Sequence, residues 1–198
     1  MAKLIYVINM SLDGYIEDAT GAFNLYPHDD EVFATYTELT NPVGTFLYGR
    51  RLYETMAPWE TEPALAAQSD LTAAFATVWQ AADKVVYSTT LTASSTTRTR
   101  IEPRLDPASV REMKRTATAD LTIGGANLAG QAFDAGLIDE CQLFVWPSII
   151  GGGKPALPTG TRRDLELLQE RRFGNGVVLL RNRVLTCGHH CCQPGRPV

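Results

Sequence analysis

The amino-acid sequence predicts an α/β protein with a mostly parallel central sheet and an antiparallel pair of strands at its C-terminal end. Apolar runs of strand length alternate with segments whose apolar residues recur at helical spacing, which is typical of parallel sheets covered by helices. Two of the strand-to-helix junctions carry glycines. The last two apolar segments flank Gly174-Asn175-Gly176, which indicates a β-hairpin.

The N-terminal half of the chain predicts three strands and three helices. Residues 3–10 form a continuous apolar run, which fits a central strand covered on both faces. Asp29 and Asp30 can cap the first helix, and Pro42 and Pro58 end the first two helices because proline cannot continue a helix. The strands are predicted at 3–10, 45–48 and 83–87, and the helices at 29–39, 50–57 and 63–82.

The C-terminal half continues the same alternation. Asp106 can cap a helix that has Pro107 at its first position, where the missing N–H costs nothing. A short strand follows the polar loop at 92–100. The other strands are predicted at 121–123, 138–147, 164–173 and 177–185, and the helices at 107–116 and 126–135.

Composition and charge are those of an ordinary globular protein. Of 198 residues, 44% are hydrophobic and 20% are charged, and the formal net charge is -4. We expect one domain over residues 1–186, with no basic surface for nucleic acid or for a membrane. No apolar run approaches the roughly 20 residues of a transmembrane helix. The first residues lead into a strand pattern rather than a signal peptide, so we expect a cytoplasmic protein.

The cysteines do not indicate a disulfide framework. Cys141 lies in an apolar run and is expected to be a buried thiol. The segment 187–198 holds three cysteines and two histidines, which are metal-ligand types, but they lack the spaced pairs of known metal sites. We therefore expect a disordered tail and no metal site.

The turn at Gly124 and Gly125 is the first candidate for a ligand site. Glycines expose the main chain, and the helix that follows begins with free N–H groups and the positive end of its dipole. A strand, a glycine turn and a helix start together favour an anion. A plain tight turn explains the two glycines equally well, since they are less specific than a full dinucleotide-binding motif.

Other strand ends carry further candidates. Arg50 and Arg51 follow Gly49 at a helix start, where they oppose the helix dipole, and a bound phosphate would explain them. Exposed arginines without a ligand are the alternative. Asp13 follows the first strand and either lies at the ligand edge of the sheet or belongs to a simple turn. Ser88 either binds a ribose or phosphate or caps a turn.

Taken in order, five short motifs resemble the dihydrofolate-reductase-like superfamily. The resemblance covers roughly residues 3–185 and is closest to the reductase domain of the riboflavin-biosynthesis deaminase-reductase and its small stand-alone bacterial relatives. It implies a three-layer α/β/α fold, NADPH as cofactor, hydride transfer to a small molecule, and a homodimer. The motifs are Ser11-Leu12-Asp13-Gly14-Tyr15-Ile16, Gly49-Arg50-Arg51-Leu52-Tyr53-Glu54, Gly124-Gly125-Ala126, Leu137-Ile138-Asp139-Glu140 and Pro147-Ser148-Ile149-Ile150-Gly151-Gly152-Gly153-Lys154.

The resemblance also implies roles for individual residues. Asp13 and Gly14 match the loop beside the nicotinamide and the substrate. The cofactor-binding positions fall in three groups: Gly49, Arg50 and Arg51 at the phosphates, Ser88 and Thr89 near the adenosine ribose and its 2′-phosphate, and Gly124, Gly125, Ala126 and Asn127 over the pyrophosphate.

Several positions depart from true dihydrofolate reductases. The stretch 25–31 lacks the tryptophan of those enzymes, and Asp30 or Glu31 either replaces their buried carboxylate or helps to cap the helix. Thr89 stands where an arginine is often found, which leaves NADPH and NADH open. The accompanying deaminase domain is absent, so the resemblance does not imply a role in that pathway.

The function predicted from the sequence is an NAD(P)H-dependent reductase for a small heteroaromatic substrate, pterin-like or pyrimidine-like, or for a carbonyl substrate. In such a reaction the protein holds the reacting groups together in a dry pocket, while the cofactor supplies the chemistry. Asp13 is the candidate proton donor, with a structural turn acid as the alternative. Tyr15, Asp30 and Trp59 are candidate substrate-binding residues, and a core or surface role is the alternative for Tyr15 and Trp59. The second hypothesis is a non-catalytic nucleotide-binding protein with the same fold.

Overall fold

The computed structural model describes residues 1–22, 27–160 and 162–185. Alternating helical and strand segments along these ranges follow the order predicted from the sequence. The strands are β1 (Leu4–Ser11), β2 (Tyr15–Glu17), β3 (Val43–Gly49), β4 (Asp83–Tyr87), β5 (Thr99–Glu102), β6 (Asp120–Gly124), β7 (Glu140–Trp146), β8 (Lys154–Pro155), β9 (Leu165–Arg172) and β10 (Val178–Val184). The helices are α1 (Asp30–Thr40), α2 (Arg50–Met56), α3 (Pro58–Thr61), α4 (Pro63–Ala66), α5 (Asp70–Ala81), α6 (Pro107–Thr116) and α7 (Ala126–Asp134).

Within the described ranges the main sheet has eight strands in the order β5-β4-β3-β6-β1-β7-β10-β9. The six strands from β5 to β7 pair in parallel, whereas β10 is antiparallel to both β7 and β9. The predicted fold class is therefore confirmed, including the C-terminal hairpin. A separate two-stranded sheet pairs β2 with β8 and lies beside the end of β1.

Helices cover both faces of the sheet, which gives the three layers that the resemblance implied. On one face, α6 and α7 pack through Val110 and Phe133 against Tyr6 and Ile123 of the central strands. On the other face, Phe75 of α5 and its aromatic neighbours pack against β3 and β4. Because side chains alternate along each strand, the continuous apolar runs supply both cores.

One helix prediction was wrong. The segment predicted as a single helix at 63–82 contains two, α4 and α5, separated at Ser69. The Ser69 hydroxyl accepts a hydrogen bond from the Thr72 N–H at 3.2 Å, and the Thr72 hydroxyl accepts one from the Ser69 N–H at 2.9 Å. This reciprocal capping starts a new helix inside an Ala-rich segment whose composition alone indicates continuity.

Residues 186–198 lie outside the described part of the chain, and so does the prediction of a disordered tail. None of the helices in the described ranges is long and apolar enough to cross a membrane.

Candidate active site

A pocket of about 550 Å³ opens where the central parallel strands end. The wall includes residues near the carboxyl ends of β1, β3, β6 and β7, and this is the edge where open α/β sheets bind ligands. The aromatic lining residues are Phe33, Tyr36, Tyr48, Trp59, Phe75, Phe144 and Trp146. The polar ones are Asn9, Glu17, His28, Asp29, Arg51, Thr55, Thr122 and Lys154.

The aromatic side of the pocket is packed as a continuous wall. The ring of Trp59 stacks on Phe33 at a centroid distance of 5.9 Å and meets Phe75 edge-on at 4.8 Å. Burial raises the pKa of Tyr48 well above its usual range, and its hydroxyl accepts a hydrogen bond from the Trp79 indole N–H at 3.2 Å. The wall is therefore uncharged and suits a flat heteroaromatic ring.

The glycine turn lies on the pocket, as the sequence predicted. Gly125 has φ +89° and caps α7, a conformation that favours glycine, and a Cβ there would meet only open space. A Cβ on Gly124 would instead overlap the side chain of Leu52, so that glycine allows α2 to pack closely on β6. Ala126 and Asn127 follow in α7, outside the wall formed by the described residues. The bare main chain at Gly125 fits the close approach of a phosphate group.

The two adjacent arginines of α2 differ in position, since Arg51 lines the pocket and Arg50 does not. Arg51 lines the pocket, where it donates hydrogen bonds to Glu17 at 2.9 Å and to the carbonyl oxygen of Gly21 at 2.7 Å. Arg50 lies outside the wall, and it donates to Glu54 at 2.7 Å and to the hydroxyl of Thr90 at 2.8 Å. Of the predicted phosphate ligands on α2, the structure thus brings Arg51 to the wall of the pocket that Gly124 and Gly125 also line.

Ser88 and Thr89 lie beyond β4, outside the pocket wall. The Ser88 hydroxyl accepts hydrogen bonds from the N–H groups of Thr90 at 3.1 Å and Leu91 at 3.0 Å, so it caps a turn. Thr89 is exposed. The turn brings Thr90 to Arg50, and this cluster of polar groups lies next to Gly49, the residue that caps α2. A role for these residues at the adenosine end of a cofactor stays a prediction.

Asp13 lies outside the wall of the pocket formed by the described residues. Its carboxylate accepts hydrogen bonds from the N–H groups of Gly151 at 2.7 Å and Ile150 at 3.1 Å. Hydrogen bonds from Ser11 and Gly151 hold the pKa of Asp13 below its ordinary value. A carboxylate stabilised in its charged form is a poor proton donor, so the contacts support the alternative of a structural turn acid.

Of the three predicted substrate-binding residues, Trp59 lines the pocket, and Tyr15 and Asp30 do not. Trp59 is part of the aromatic wall, whereas Tyr15 lies on β2 and pairs with Pro155. Asp30 is the first residue of α1, and its carboxylate lies 2.9 Å from Nε2 of His28, which lines the pocket. Asp29 also lines the pocket and caps α1 by accepting from the N–H of Val32. Residues 25 and 26, the first two of the stretch compared with dihydrofolate reductases, lie outside the described ranges.

Most of the polar lining residues were not among the sequence candidates, including Asn9, Glu17, His28 and Lys154. The amide oxygen of Asn9 accepts a hydrogen bond from the Trp146 indole N–H at 2.9 Å. The oxygen is thereby engaged, and among the described residues the amide N–H groups of Asn9 have no hydrogen-bond partner, so they can donate to a ligand. The sequence signals were a polar residue at the end of an apolar strand and a lysine after three glycines, both of them weak.

Among the residues that the structure describes, no group of three or more His, Cys, Asp or Glu side chains is arranged to hold a metal. The Cys- and His-rich tail lies outside those residues.

The amino-acid sequence of this chain matches a known protein family. The model of the RibD C-terminal domain matches residues 2–179. The uncharacterized protein YyaP of Bacillus subtilis (strain 168) is 26% identical over an alignment of 187 residues that covers 89% of this chain and 92% of YyaP.

Solved structures with the same fold include three from different bacteria. A protein of Shewanella sp. PV-4, described as a candidate riboflavin biosynthesis protein, has a TM-score of 0.70 at 19% identity over 94% of this chain and all of its own. A pyrimidine reductase-like protein of Corynebacterium diphtheriae has a TM-score of 0.62 at 12% identity, over 93% and 92% of the two chains. The deaminase/5-amino-6-(5-phosphoribosylamino)uracil reductase of Thermotoga maritima has 0.64 at 14%, over 93% and 57%.

Proposed function

We propose that this chain, which belongs to the RibD C-terminal domain family, is a nicotinamide-nucleotide-dependent reductase. Its substrate is a small heteroaromatic molecule, pyrimidine-like or pterin-like, or a small carbonyl compound. The observation that carries the proposal is the single pocket in which a glycine turn and an arginine face an uncharged aromatic wall. The pyrimidine reductase-like protein and the uracil reductase among the structural relatives support the same class of reaction.

The cofactor side of the proposed site comprises the glycine turn and Arg51. The open space over Gly125 fits a phosphate group, and the Arg51 guanidinium supplies positive charge at the wall of the same pocket. When bound, a reduced nicotinamide supplies a hydride to an electrophilic carbon of the substrate. The cofactor-binding residues of the proposal are Gly49, Arg50, Arg51, Ser88, Thr89, Gly124, Gly125, Ala126 and Asn127, with NADPH as the cofactor.

The substrate side is the aromatic wall. Trp59 and its ring neighbours exclude water and present flat apolar faces, which position a planar ring for the transfer. The amide N–H groups of Asn9 can donate to a carbonyl oxygen at the rim of that ring. Binding energy therefore comes from stacking, and orientation comes from a few polar contacts.

The substrate must also receive a proton. Asp13 holds a loop by its charged carboxylate, so we assign it a positioning role rather than the role of proton donor. His28 lines the pocket, and the Asp30 carboxylate lies beside its ring. We propose His28 as the donor, because its ring lies in the pocket wall with a carboxylate beside it and histidine is the side chain that most often acts as a general acid.

The second candidate function, a non-catalytic nucleotide-binding protein, is favoured by one observation. The carboxylate expected to act as the acid, Asp13, is occupied by backbone N–H groups outside the pocket. In that case the fold would bind the nucleotide without turning a substrate over.

The test is an oxidation assay on the purified full-length protein. NADPH and NADH are each offered with 5-amino-6-(5-phosphoribosylamino)uracil, dihydrofolate and a panel of small carbonyl compounds, and loss of the reduced-nicotinamide absorbance is followed. We expect oxidation with at least one substrate. Tight NADPH binding without oxidation across the panel would instead support the binding protein.

Arginine variants test the cofactor assignment by NADPH binding alone. We expect Arg51→Ala to weaken NADPH binding by roughly five- to tenfold, the loss of one charge-assisted contact. Arg115→Ala is the matched control, because Arg115 is an exposed arginine that pairs with Glu112 on α6, away from the pocket wall. Equal affinity in Arg51→Ala and the wild type would refute the phosphate assignment.

A further inference from the structure

Three charged side chains meet at one side of the pocket. Glu17 lies on β2, Arg51 on α2 and Lys154 on β8, and all three line the pocket. Nη1 of Arg51 lies 2.9 Å from one oxygen of the Glu17 carboxylate, and Nζ of Lys154 lies 3.3 Å from the other. One carboxylate therefore holds two cations, one at each of its oxygens.

The contacts place the carboxylate at the centre of the cluster. The Glu17 side chain is only 12% exposed, compared with 57% for Arg51 and 29% for Lys154. Two positive charges around one negative charge leave a net positive charge on this side of the pocket. A phosphate group carries more negative charge than a carboxylate and presents its oxygens in a similar way, so it would balance both cations.

We propose that Arg51 and Lys154 form the seat of one phosphate group of a bound ligand, and that Glu17 occupies this seat until the phosphate replaces it. The inference rests on the proposed function, because it assumes that the pocket binds a phosphorylated ligand. Glu17 and the phosphate cannot share the seat, since like charges in contact repel each other strongly in a partly buried site. Ligand binding therefore moves the Glu17 side chain out.

The backbone around the seat holds Lys154 in place. Glu17 pairs with Lys154 in the two-stranded sheet of β2 and β8. Gly153 has φ +129°, and a Cβ there would overlap the carbonyl oxygen of Glu17, so the two strands are in close contact. Asp13 fixes the preceding loop through Gly151. Because the main chain is restrained on both sides, the exchange is a movement of the Glu17 side chain.

Two kinds of ligand carry the required phosphate. One is the diphosphate bridge of a nicotinamide dinucleotide, and the other is the phosphate ester of a sugar-linked substrate. The chemistry recognised by the two cations is the same in both.

Binding of inorganic pyrophosphate to the full-length protein, measured by calorimetry, tests the seat. We expect Glu17→Gln to bind pyrophosphate roughly five- to tenfold more tightly, because the amide keeps the shape of the side chain and removes the competing charge. We expect Lys154→Met to bind it more weakly by a similar factor. Glu112→Gln is the matched control: Glu112 also pairs with an arginine, Arg115, but on α6 away from the pocket, and we expect no change.

Unchanged or weaker pyrophosphate binding in folded Glu17→Gln would overturn the proposal, because Glu17 would then be a structural partner of Arg51 and Lys154. Circular dichroism establishes that the variant is folded. If Glu17→Gln does not fold, Lys154→Met decides, since pyrophosphate affinity equal to that of the wild type would overturn the seat.

Competition identifies the source of the phosphate. Displacement of pyrophosphate by NADPH assigns the seat to the dinucleotide, and displacement by ribose 5-phosphate assigns it to the substrate; either result supports the seat. Pyrophosphate binding needs no turnover. Suppose that the protein oxidises no cofactor but that Glu17→Gln and Lys154→Met change pyrophosphate binding as expected. That result would refute the proposed reductase function and would still support the phosphate seat.

Discussion

The carboxylate of Asp13 accepts a hydrogen bond from the backbone N–H of Gly151 at 2.7 Å, which joins the loop after β1 to the glycine-rich loop before β8. A second N–H, from Ile150, reaches the same carboxylate at 3.1 Å. The loop then continues into Lys154 at the pocket. Asp13 thus restrains the loop that leads into Lys154.

The first prediction concerns this contact. We expect Asp13→Ala to weaken pyrophosphate binding and to lower the melting temperature, and Asp13→Asn to lie closer to the wild type, because its amide oxygen still accepts a hydrogen bond. The pKa of Asp13 is lowered from 3.8, so its contribution to stability is complete above that pH and is lost as the pH falls through the lower folded-state value. Thermal melts across the acidic range measure this loss.

One result would contradict this prediction and support Asp13 as the proton donor of the reaction. That result is an Asp13→Asn protein with wild-type melting and pyrophosphate binding that has lost oxidation activity.

The second prediction concerns the glycine turn. Gly125→Ala places a methyl group at φ +89°, which we expect to cost about 1–2 kcal/mol of stability, and it fills the space proposed for a phosphate. We expect NADPH binding to fall sharply. Gly136→Ala is the control, because Gly136 has φ +63° at the far end of α7. Unfolding in urea should show a loss of stability in both variants, and only Gly125→Ala should lose nucleotide affinity.

The third prediction concerns a buried carboxylate in the sheet. The Glu140 side chain is 2% exposed and contacts Arg181 at 2.8 Å and Lys3 at 3.3 Å. Burial by itself raises the pKa of Glu140, but hydrogen bonds from Gln142 and Arg181 outweigh burial and leave it below the ordinary value. We expect Arg181→Met to lower the free energy of unfolding by about 2–3 kcal/mol at neutral pH, because Glu140 loses a charged partner.

Arg183→Met provides the comparison on the same strand. Arg183 and its partner Glu166 are both at least half exposed, so we expect a change of less than about 1 kcal/mol. Urea unfolding of the two variants measures the difference, and equal losses would contradict the role given to Glu140.

The fourth prediction concerns Cys141, which is buried as the sequence predicted. Burial, with the neighbouring Glu140 carboxylate, raises the pKa of its thiol from 9.0 to about 12, so the thiolate fraction falls roughly a thousandfold. With the three tail cysteines changed to serine, we expect native protein to resist a disulfide reagent at pH 8 and unfolded protein to react at once. Rapid reaction of the native protein would contradict this.

The fifth prediction is the homodimer, which we propose to form along β9. This edge strand exposes three leucines, with Leu165 41%, Leu167 53% and Leu168 39% exposed. Exposed apolar edge strands invite pairing with another chain. We expect Leu167→Lys to shift the mass measured by light scattering from dimer to monomer, and Ile149→Lys, in an exposed loop, to leave it unchanged. A wild-type monomer would refute the proposal.

Local patterns of the sequence singled out two residues that the structure places in the pocket wall. Gly124 and Gly125 lie on the pocket because a strand followed by glycines and a helix start is a local arrangement. The sequence treated Arg50 and Arg51 alike, yet only Arg51 lines the pocket. Neighbouring side chains on a helix point about 100° apart, so a helix start cannot direct both arginines to one ligand.

The sequence by itself determined the fold class, the alternation of strands and helices, the C-terminal hairpin and the family, because these follow from the spacing of apolar residues and from glycine turns along short segments. Only the tertiary structure decided which polar groups face the pocket. Glu17 and Lys154 are 137 residues apart, and the pairing of β2 with β8 brings them together, while Asp13 is turned toward the loop instead. Such contacts depend on packing between distant segments, which no local pattern encodes.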